Sequence, residues 1–532
     1  MPDQTLAQRY AAMRGNCENI MQRVRECSAL TLPWLVPPLE HQPDQKLPEP
    51  FNSLGSEAVG SLEGRILSAV FPAQLPWFKL EMDANIRLDP SVTTETKRDI
   101  SAGLFRQEVL LQSLLESANL FQKGARFSRG FRTQMRSATQ QLLVTGDTLF
   151  SLTDDYRIVV YRRDQYVTKR DNAGDVLCHI IKEQKYGPSL SDEQLTKAQL
   201  TREKLNKESY DRRMVDLYTL YEWDSVEKTW KWEQEVNGHV VEKGTDKIAR
   251  YFSVSMDLAP GDDYGRGMVE RHLGELRTTN ELEQRLLEFA GMASLGLIAL
   301  DYDFKGAPED FEKPPGSTFR SRVMGGQCTD AAVFKAQNYA DMRQVFELQQ
   351  DKQMRLSRRF LMQSGAVRDS ERTTAFEVAR ITIAELDGAL GGLYAPISDA
   401  MQAPLLARLY WQAEQDKLLP KLTENQKKIV NVKLLTGAAA LASQAKAQRL
   451  VEFAEIVREL TPEQRDRINE EVLFDALARY QGVDEPGIIR SDEEVNEIRK
   501  QRAAIETQQV MAQQATQTAG NIVESALTTG QA

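Results

Sequence analysis

The stretch that decides the reading of this chain is Arg355-Leu356-Ser357-Arg358-Arg359-Phe360-Leu361-Met362, together with the loop Ser364-Gly365-Ala366-Val367-Arg368-Asp369-Ser370-Glu371-Arg372-Thr373-Thr374 that follows it. Arg355, Arg358 and Arg359 stand at i, i+3 and i+4, so on a helix they project from one face, with Lys352 and Arg343 a turn or more upstream. The spacing predicts a long helix over Tyr339–Met362. The loop after it combines glycine with short polar residues and carries two further arginines, Arg368 and Arg372. Thr373 or Thr374 as N-cap, with Glu377 at the third helical position, makes a capping box for a next helix running to about Leu393. Taken alone, such arginines are a solvated helix face, because charge runs usually face water. The competing reading is a local basic ring turned toward phosphates.

Working outward from this stretch, a helix is expected from Met268 to about Ala293, and between the two helices lies Leu295–Lys335, rich in Gly and Pro (Pro308, Pro314-Pro315-Gly316, Gly325-Gly326). Two long helices flanking a compact insertion form an αα-hairpin with a domain at its tip. Upstream, short β-branched and aromatic runs begin at Thr148 and recur to Met256, interrupted by a charged helical insertion from Ser191 to Glu208; they predict a small, mostly antiparallel barrel or sheet. The N-terminal part is helical: one amphipathic helix over residues 5–30, a Pro-rich linker through Pro37, Pro38, Pro43, Pro48 and Pro50, then helices over about Asn52–Phe71, Thr94–Leu120 and Ala125–Val144. From Ala403 the chain reads as helical again. Residues 501–532 are rich in Gln, Ala and Thr, and weak helix or disorder is expected there. The fold class is therefore α+β, predominantly helical.

The chain has 532 residues, 67 Lys+Arg against 77 Asp+Glu, hence a net charge of −10, with 41% apolar and 27% charged residues. This length is enough for about three or four domains, and the composition excludes collagen, a disordered tail and a disulfide mini-protein. An acidic chain does not coat nucleic acid through non-specific affinity. Four cysteines (Cys17, Cys27, Cys178, Cys328) make no disulfide framework and no zinc clip, which predicts reduced, intracellular folding. No signal peptide is read at the N-terminus. The longest uncharged apolar stretch, Phe289–Leu300, is short of the roughly 20 residues that cross a bilayer, so no membrane role is expected.

Catalytic motifs are absent: no P-loop, no Gly-x-Ser-x-Gly, no His-Glu-x-x-His and no kinase set. Cys178-His179 is the one adjacent Cys/His pair, and on a strand one should point inward and the other outward. Gly261-Asp262-Asp263-Tyr264-Gly265-Arg266-Gly267 is the most motif-like string. It reads as a strand-to-helix turn needing positive φ, the rival being Mg²⁺ or phosphate binding in a metal-dependent nuclease using Asp262 and Asp263. No enzyme, metal or cofactor is expected.

The arginine stretch, with Thr373-Thr374-Ala375-Phe376-Glu377-Val378 and Glu385-Leu386-Asp387-Gly388-Ala389-Leu390-Gly391-Gly392-Leu393-Tyr394, resembles the portal, or head-to-tail connector, proteins of short-tailed double-stranded-DNA bacteriophages. Tyr264-Gly265-Arg266-Gly267 with Leu273-Gly274-Glu275-Leu276-Arg277, the run Leu143–Phe150, the run Tyr161–Asp171 and Ser68–Pro72 resemble the same family, in its order, over roughly residues 10–420. The resemblance implies a ring of twelve subunits at one capsid vertex, the channel through which DNA is packaged and ejected. Residues 1–267 would be an α/β wing with a small β-barrel or sheet, 268–294 and 337–363 the two stem helices, and 295–336 an α/β clip. Residues 364–373 would be the tunnel loop, 374–402 the long wing helix and 403–500 a helical crown. Arg355, Arg358, Arg359, Arg368 and Arg372 would face the DNA channel or, for the stem three, a neighbouring subunit's acids. Phe304, Lys305, Phe311, Lys313, Arg320 and Arg322 would dock partners at the clip. The implied partners are further copies of the chain, double-stranded DNA held without regard to sequence, the terminase packaging motor, a tail adaptor, capsid and scaffolding proteins and internal core proteins. The place would be the virion, after assembly in the host cytoplasm, and the rival within the virus is another ring-forming protein such as a tail adaptor.

Overall fold

The computed structural model describes residues 4–42, 44–71, 77–82, 94–117, 130–209, 211–295, 297–300, 302, 322–324, 327–328, 331–334, 339–362, 388, 394–419, 430–433, 453–457 and 473. The chain divides into two compact units: Met1–Leu80, Gln107–Lys421 and Val432–Leu441 form one, and Glu81–Arg106, Leu422–Asn431 and Ala442–Ala532 the other. In the second unit the described residues are mainly the first half of a helix and the short helical stretch 453–457. Apart from the strand Lys79–Met82 and the first half of the helix Thr94–Ser117, which run into the second unit, the elements described below belong to the first.

Helices α1 (Leu6–Asn16), α2 (Glu18–Ala29) and α3 (Leu54–Val70) open the chain, followed by β1 (Lys79–Met82), α4 (Thr94–Ser117) and α5 (Phe131–Thr145). The single helix expected over 5–30 is two. At Cys17 the backbone leaves helical geometry (φ −106°, ψ 15°) and its N–H turns back to the carbonyls of Arg14 and Gly15; Gly15-Asn16 just before it are weak helix formers. The start of α1 is closed by a Thr5–Gln8 capping box and by Glu235, whose carboxylate accepts from the N–H of Leu6 (2.6 Å) and Ala7 (3.3 Å). A buried carboxylate from a distant strand thus meets the positive end of the helix.

Strands β2 (Asp147–Leu152), β3 (Ile158–Tyr161), β4 (Tyr166–Arg170), β5 (Val176–Tyr186), β6 (Met214–Asp224), β7 (Thr229–Val236), β8 (His239–Asp246) and β9 (Tyr251–Ser255) follow, with short helices α6 (Asp192–Lys197) and α7 (Arg202–Lys207) in the charged insertion. They form two antiparallel sheets, β3-β2-β9 and β4-β5-β6-β7-β8, where one barrel or sheet was expected. The faces meet through Leu149, Tyr161, Tyr166 and Ile181, and Tyr221 packs edge-on against Tyr251 at 4.9 Å.

This two-sided burial corrects the expectation for Cys178-His179. Both are buried: α1 packs on one face of β5, and the face bearing His179 and Ile181 turns to the three-stranded sheet. His179 Nδ1 bonds Thr168 Oγ1 (2.9 Å), and burial beside Arg170 lowers its pKa to about 3. A charged imidazole has no place there.

After β9 the loop Asp257–Gly267 is pinned beneath the end of α5. Gly146 takes φ +85°, and a Cβ there would stand 2.5 Å from the Gly265 carbonyl oxygen. Asp147 Oδ1 accepts from Ser255 Oγ (2.6 Å) and from the Gly265 N–H (3.1 Å), and fully buried Arg163 lies over the Tyr264 ring at 3.8 Å. The start of the long helices is fixed by this knot. They are α8 (Met268–Arg271), α9 (Leu273–Leu295) and, beyond the insertion, α10 (Tyr339–Arg359). The described part of the insertion holds the antiparallel pair β10 (Leu297–Leu300) and β13 (Ala331–Phe334) and the hairpin β11 (Val323–Met324) and β12 (Gln327–Cys328).

Helix α11 (Tyr394–Gln415) runs unbroken through Pro404. Ile397, Met401, Leu405, Leu409 and Ala413 recur every four residues and are buried. Arg408, 2% exposed, bonds Asp246 (3.3 Å) and the Ile248 carbonyl (3.1 Å). This half of α11 is seated on the sheets by its own periodic apolar face, which overrides the usual cost of an interior proline.

Candidate functional site

The long helices α9 and α10 run antiparallel, as their side-chain pairs show: Glu275 meets Arg359 near one end and Glu283 meets Gln349 further along. Their shared seam is short. Leu276 and Thr279 on α9 and Gln349, Leu356, Ser357 and Phe360 on α10 are buried, while Leu287, Phe346, Leu348 and Met354 are 46–54% exposed.

The three arginines read from the sequence separate in the structure. Arg355 is exposed and pairs with Asp351 on its own helix (2.8 Å). Arg358 is exposed, and its guanidinium touches Met354 Sδ at 3.4 Å; among the described residues no carboxylate lies within ion-pairing distance of it. Arg359 turns to α9, donating to Glu275 Oε1 (2.9 Å) and to His272 Nδ1 (3.1 Å). As acceptor at Nδ1, His272 is the neutral tautomer protonated at Nε2. Burial and the neighbouring Arg359 charge both lower its pKa. Its ring also meets Phe360 edge-on at 5.5 Å. Arg358, Arg359, His272, Met268, Leu361 and Gly388 line a cavity of about 420 Å³. The i, i+3, i+4 spacing thus yields one structural arginine and two facing solvent. His272, at the turn just before α9, and Glu275 in its first turn are the partners that sequence reasoning did not select; only tertiary pairing reveals them.

Arg368 and Arg372 lie outside the described residues, as do Phe304, Lys305, Phe311, Lys313 and Arg320. Arg322 is exposed beside the β11–β12 hairpin, whose Val323 and Met324 are 62% and 72% exposed.

The acidic string is a turn, with Gly261 at φ +85°. Asp263 Oδ1 accepts from the Arg170 N–H and Oδ2 from Lys169 Nζ, both at 2.9 Å, so its carboxylate is committed to holding the loop on β4. Among the described residues no group of three or more His, Cys, Asp or Glu is placed to hold a metal, and no helix is long and apolar enough to cross a membrane. Cys17, Cys27 and Cys178 are free and buried.

The family described as "Bacteriophage head to tail connecting protein" matches residues 3–489. The chain is 26% identical to the portal protein of Escherichia phage T7 over 538 residues, 98% of this chain and 93% of that protein. It is 25% identical to that of Enterobacteria phage T3 (91% and 87%) and 27% identical to that of Pseudomonas phage phiKMV (91% and 92%). A chain from the virion of a native gene transfer agent particle superposes with a TM-score of 0.29 at 13% identity, covering 71% of this chain and 89% of that one, too loosely to add to the argument. With nearly the whole sequence matched, and helix, strand-bearing insertion and helix in place, the chain belongs to the bacteriophage head-to-tail connecting protein family, the portal proteins of short-tailed phages.

Proposed function

We propose a division of labour within this portal chain. As a member of its family it forms the ring at one capsid vertex, the channel through which double-stranded DNA is packaged and ejected, and the docking platform for packaging motor and tail. The ring is a homododecamer. Residues 1–267 are its wing, α8–α9 and α10 (268–294 and 337–363) its stem, 295–336 its clip, 364–373 the tunnel loop, 374–402 the long wing helix and 403–500 the crown. The chain hydrolyses nothing: the motor is a separate terminase, which the clip engages before the tail adaptor, and the remaining partners are capsid, scaffolding and internal core proteins. Phe304, Lys305, Phe311, Lys313, Arg320 and Arg322 carry the clip contacts, and assembly takes place in the host cytoplasm.

One observation carries this reading: an antiparallel helix pair, with antiparallel strands inserted at its far end, that leaves Leu287, Phe346, Leu348 and Met354 about half exposed. A helix pair that cannot bury its own apolar side chains is completed by neighbours, as in obligate interfaces. Arg358, free of carboxylates among the described residues, together with Arg368 and Arg372, is assigned to the channel wall, where contact is to phosphate alone and blind to sequence. DNA carries about one charge per 1.7 Å of axis, so a densely basic channel would grip it through counterion release. Repeating a net −10 subunit around the ring with a few arginines at the constriction keeps the duplex centred and free to slide. Negative-stain images of the purified chain should show closed rings of one rotational symmetry; monomers alone at high concentration defeat the reading. Arg368→Ala with Arg372→Ala should leave rings intact and change packaging or DNA retention, and unchanged packaging and ejection remove the channel role.

A further inference from the structure

Helix α10 ends in a left-handed turn on a non-glycine residue, as do α6 at Gln199 and α11 at Lys417, but here the turn is hydrogen-bonded to another helix. Leu361 N–H bonds the Arg358 carbonyl (3.2 Å) and Met362 N–H reaches back to the Ser357 carbonyl (2.8 Å), the two-bond arrangement in which the residue after the helix end sits in the left-handed region. That residue is Leu361, at φ +54°. Glycine normally fills this position because a side chain is disfavoured there; α5 uses Gly146 for the same purpose. A strained residue persists where its surroundings over-determine it. Here Phe360, 1% exposed, is anchored against His272, Arg359 is tied to Glu275 and His272, and Ser61 Oγ of α3 donates to the Leu361 carbonyl at 3.0 Å from 300 residues away. Ser61 stands on a firm base, since Ala58 and Leu62 on the same helix are 1% and 0% exposed.

We infer that Ser61 is a positioning residue that fixes the exit of α10, holding the strained Leu361 turn so that the direction in which the chain leaves the helix at Met362, ahead of Arg368 and Arg372 in sequence, is set by α3. Were Leu361 to relax to right-handed geometry, α10 would continue past Phe360 and the following residues would leave along the helix axis. This assignment rests on the portal reading for its consequence, and not for its geometry.

Hydrogen exchange of the full chain tests the geometry. Ser61→Ala should speed exchange at the Leu361 and Met362 amides by roughly three- to tenfold, the worth of one hydrogen bond, with α10 residues 343–355 unchanged. Ser61→Thr, which keeps the hydroxyl, should restore protection, and so should Leu361→Gly in the Ser61→Ala background, because glycine holds the left-handed turn unaided. Unchanged exchange at 361–362, acceleration spread over the whole chain, or failure of Leu361→Gly to rescue overturns the inference. In assembled particles Ser61→Ala should release packaged DNA faster, again with rescue by Leu361→Gly; unaltered retention removes the functional half. Absence of wild-type rings would defeat the portal reading and leave the exchange result to stand or fall alone.

Discussion

The two sheets over Asp147–Ser255 and the helix pair α9–α10 follow opposite policies for their side chains. In the sheets, all six residues of β2 are buried and even full charges are taken inside with partners: Arg163 over Tyr264 beside Asp147, and Arg408 against Asp246. In the helix pair the buried seam is a handful of residues, and large apolar groups point outward. One region is complete within a single chain, whereas the other leaves large apolar side chains uncovered, which in the proposed ring neighbouring subunits would cover. Substitutions should therefore separate stability from assembly according to where they fall.

The largest effect on folding belongs to the knot below α8. Arg163→Ala removes the cation stacked on Tyr264 and leaves Asp147, whose pKa burial already raises, without its nearest charge. Breaking a buried pair from one side costs about 3–5 kcal/mol, and urea unfolding of the isolated chain should show it; a change below about 1 kcal/mol would mean the network is ornamental. The complementary break is Leu287→Glu with Phe346→Glu. Both positions are half exposed in one chain, so monomer stability should move by no more than about 0.5 kcal/mol, while a charge buried without a partner at each subunit boundary should abolish rings. Rings that survive this pair of changes, seen by electron microscopy, would erase the contrast.

A smaller, pH-dependent effect distinguishes the regions through their histidines. His179 has its pKa lowered from an ordinary 6.5 to about 3, so the folded state binds fewer protons than the unfolded one between those values. Its contribution is whole above pH 6.5 and is lost as pH falls toward 3, at up to about 1.4 kcal/mol per unit. His272 is shifted in the same direction but is half buried, and loses less. His179→Gln should flatten the fall in guanidinium midpoint between pH 6 and pH 4 more than His272→Gln does; equal slopes would contradict the difference in burial.

Much of this was legible in the residues, because the strand runs and the 3.6-residue periods are local signals. Tyr166–Thr168 and Thr229–Val236 announce themselves by composition, and the two long helices by spacing. What was not legible depends on a second surface. Cys178 and His179 alternate as strand residues must, and only α1 on one side and a second sheet on the other bury both. Pro404 stands inside α11, whose Leu405 and Leu409 are buried. The arginine face was visible, yet its division among Asp351, Glu275 and solvent was not, since Glu275 is remote in sequence and merely one acid among many.

That division sets the finest test. Arg355 and Asp351 form an exposed i, i+4 pair, worth roughly 0.3–0.5 kcal/mol at low salt. Arg359 makes two hydrogen bonds across to α9, each contributing on the order of 0.5–1.5 kcal/mol, toward the lower end because the side chain is 47% exposed. Arg359→Ala should therefore destabilise the chain more than Arg355→Ala, and 1 M salt should erase the Arg355 effect while leaving part of the other. Arg358, with no carboxylate to lose among the described residues, should change stability least of the three and DNA retention most. If the three substitutions were equal in both measurements, the helix face would be one solvated stripe, and the split between a structural arginine and channel arginines would fall.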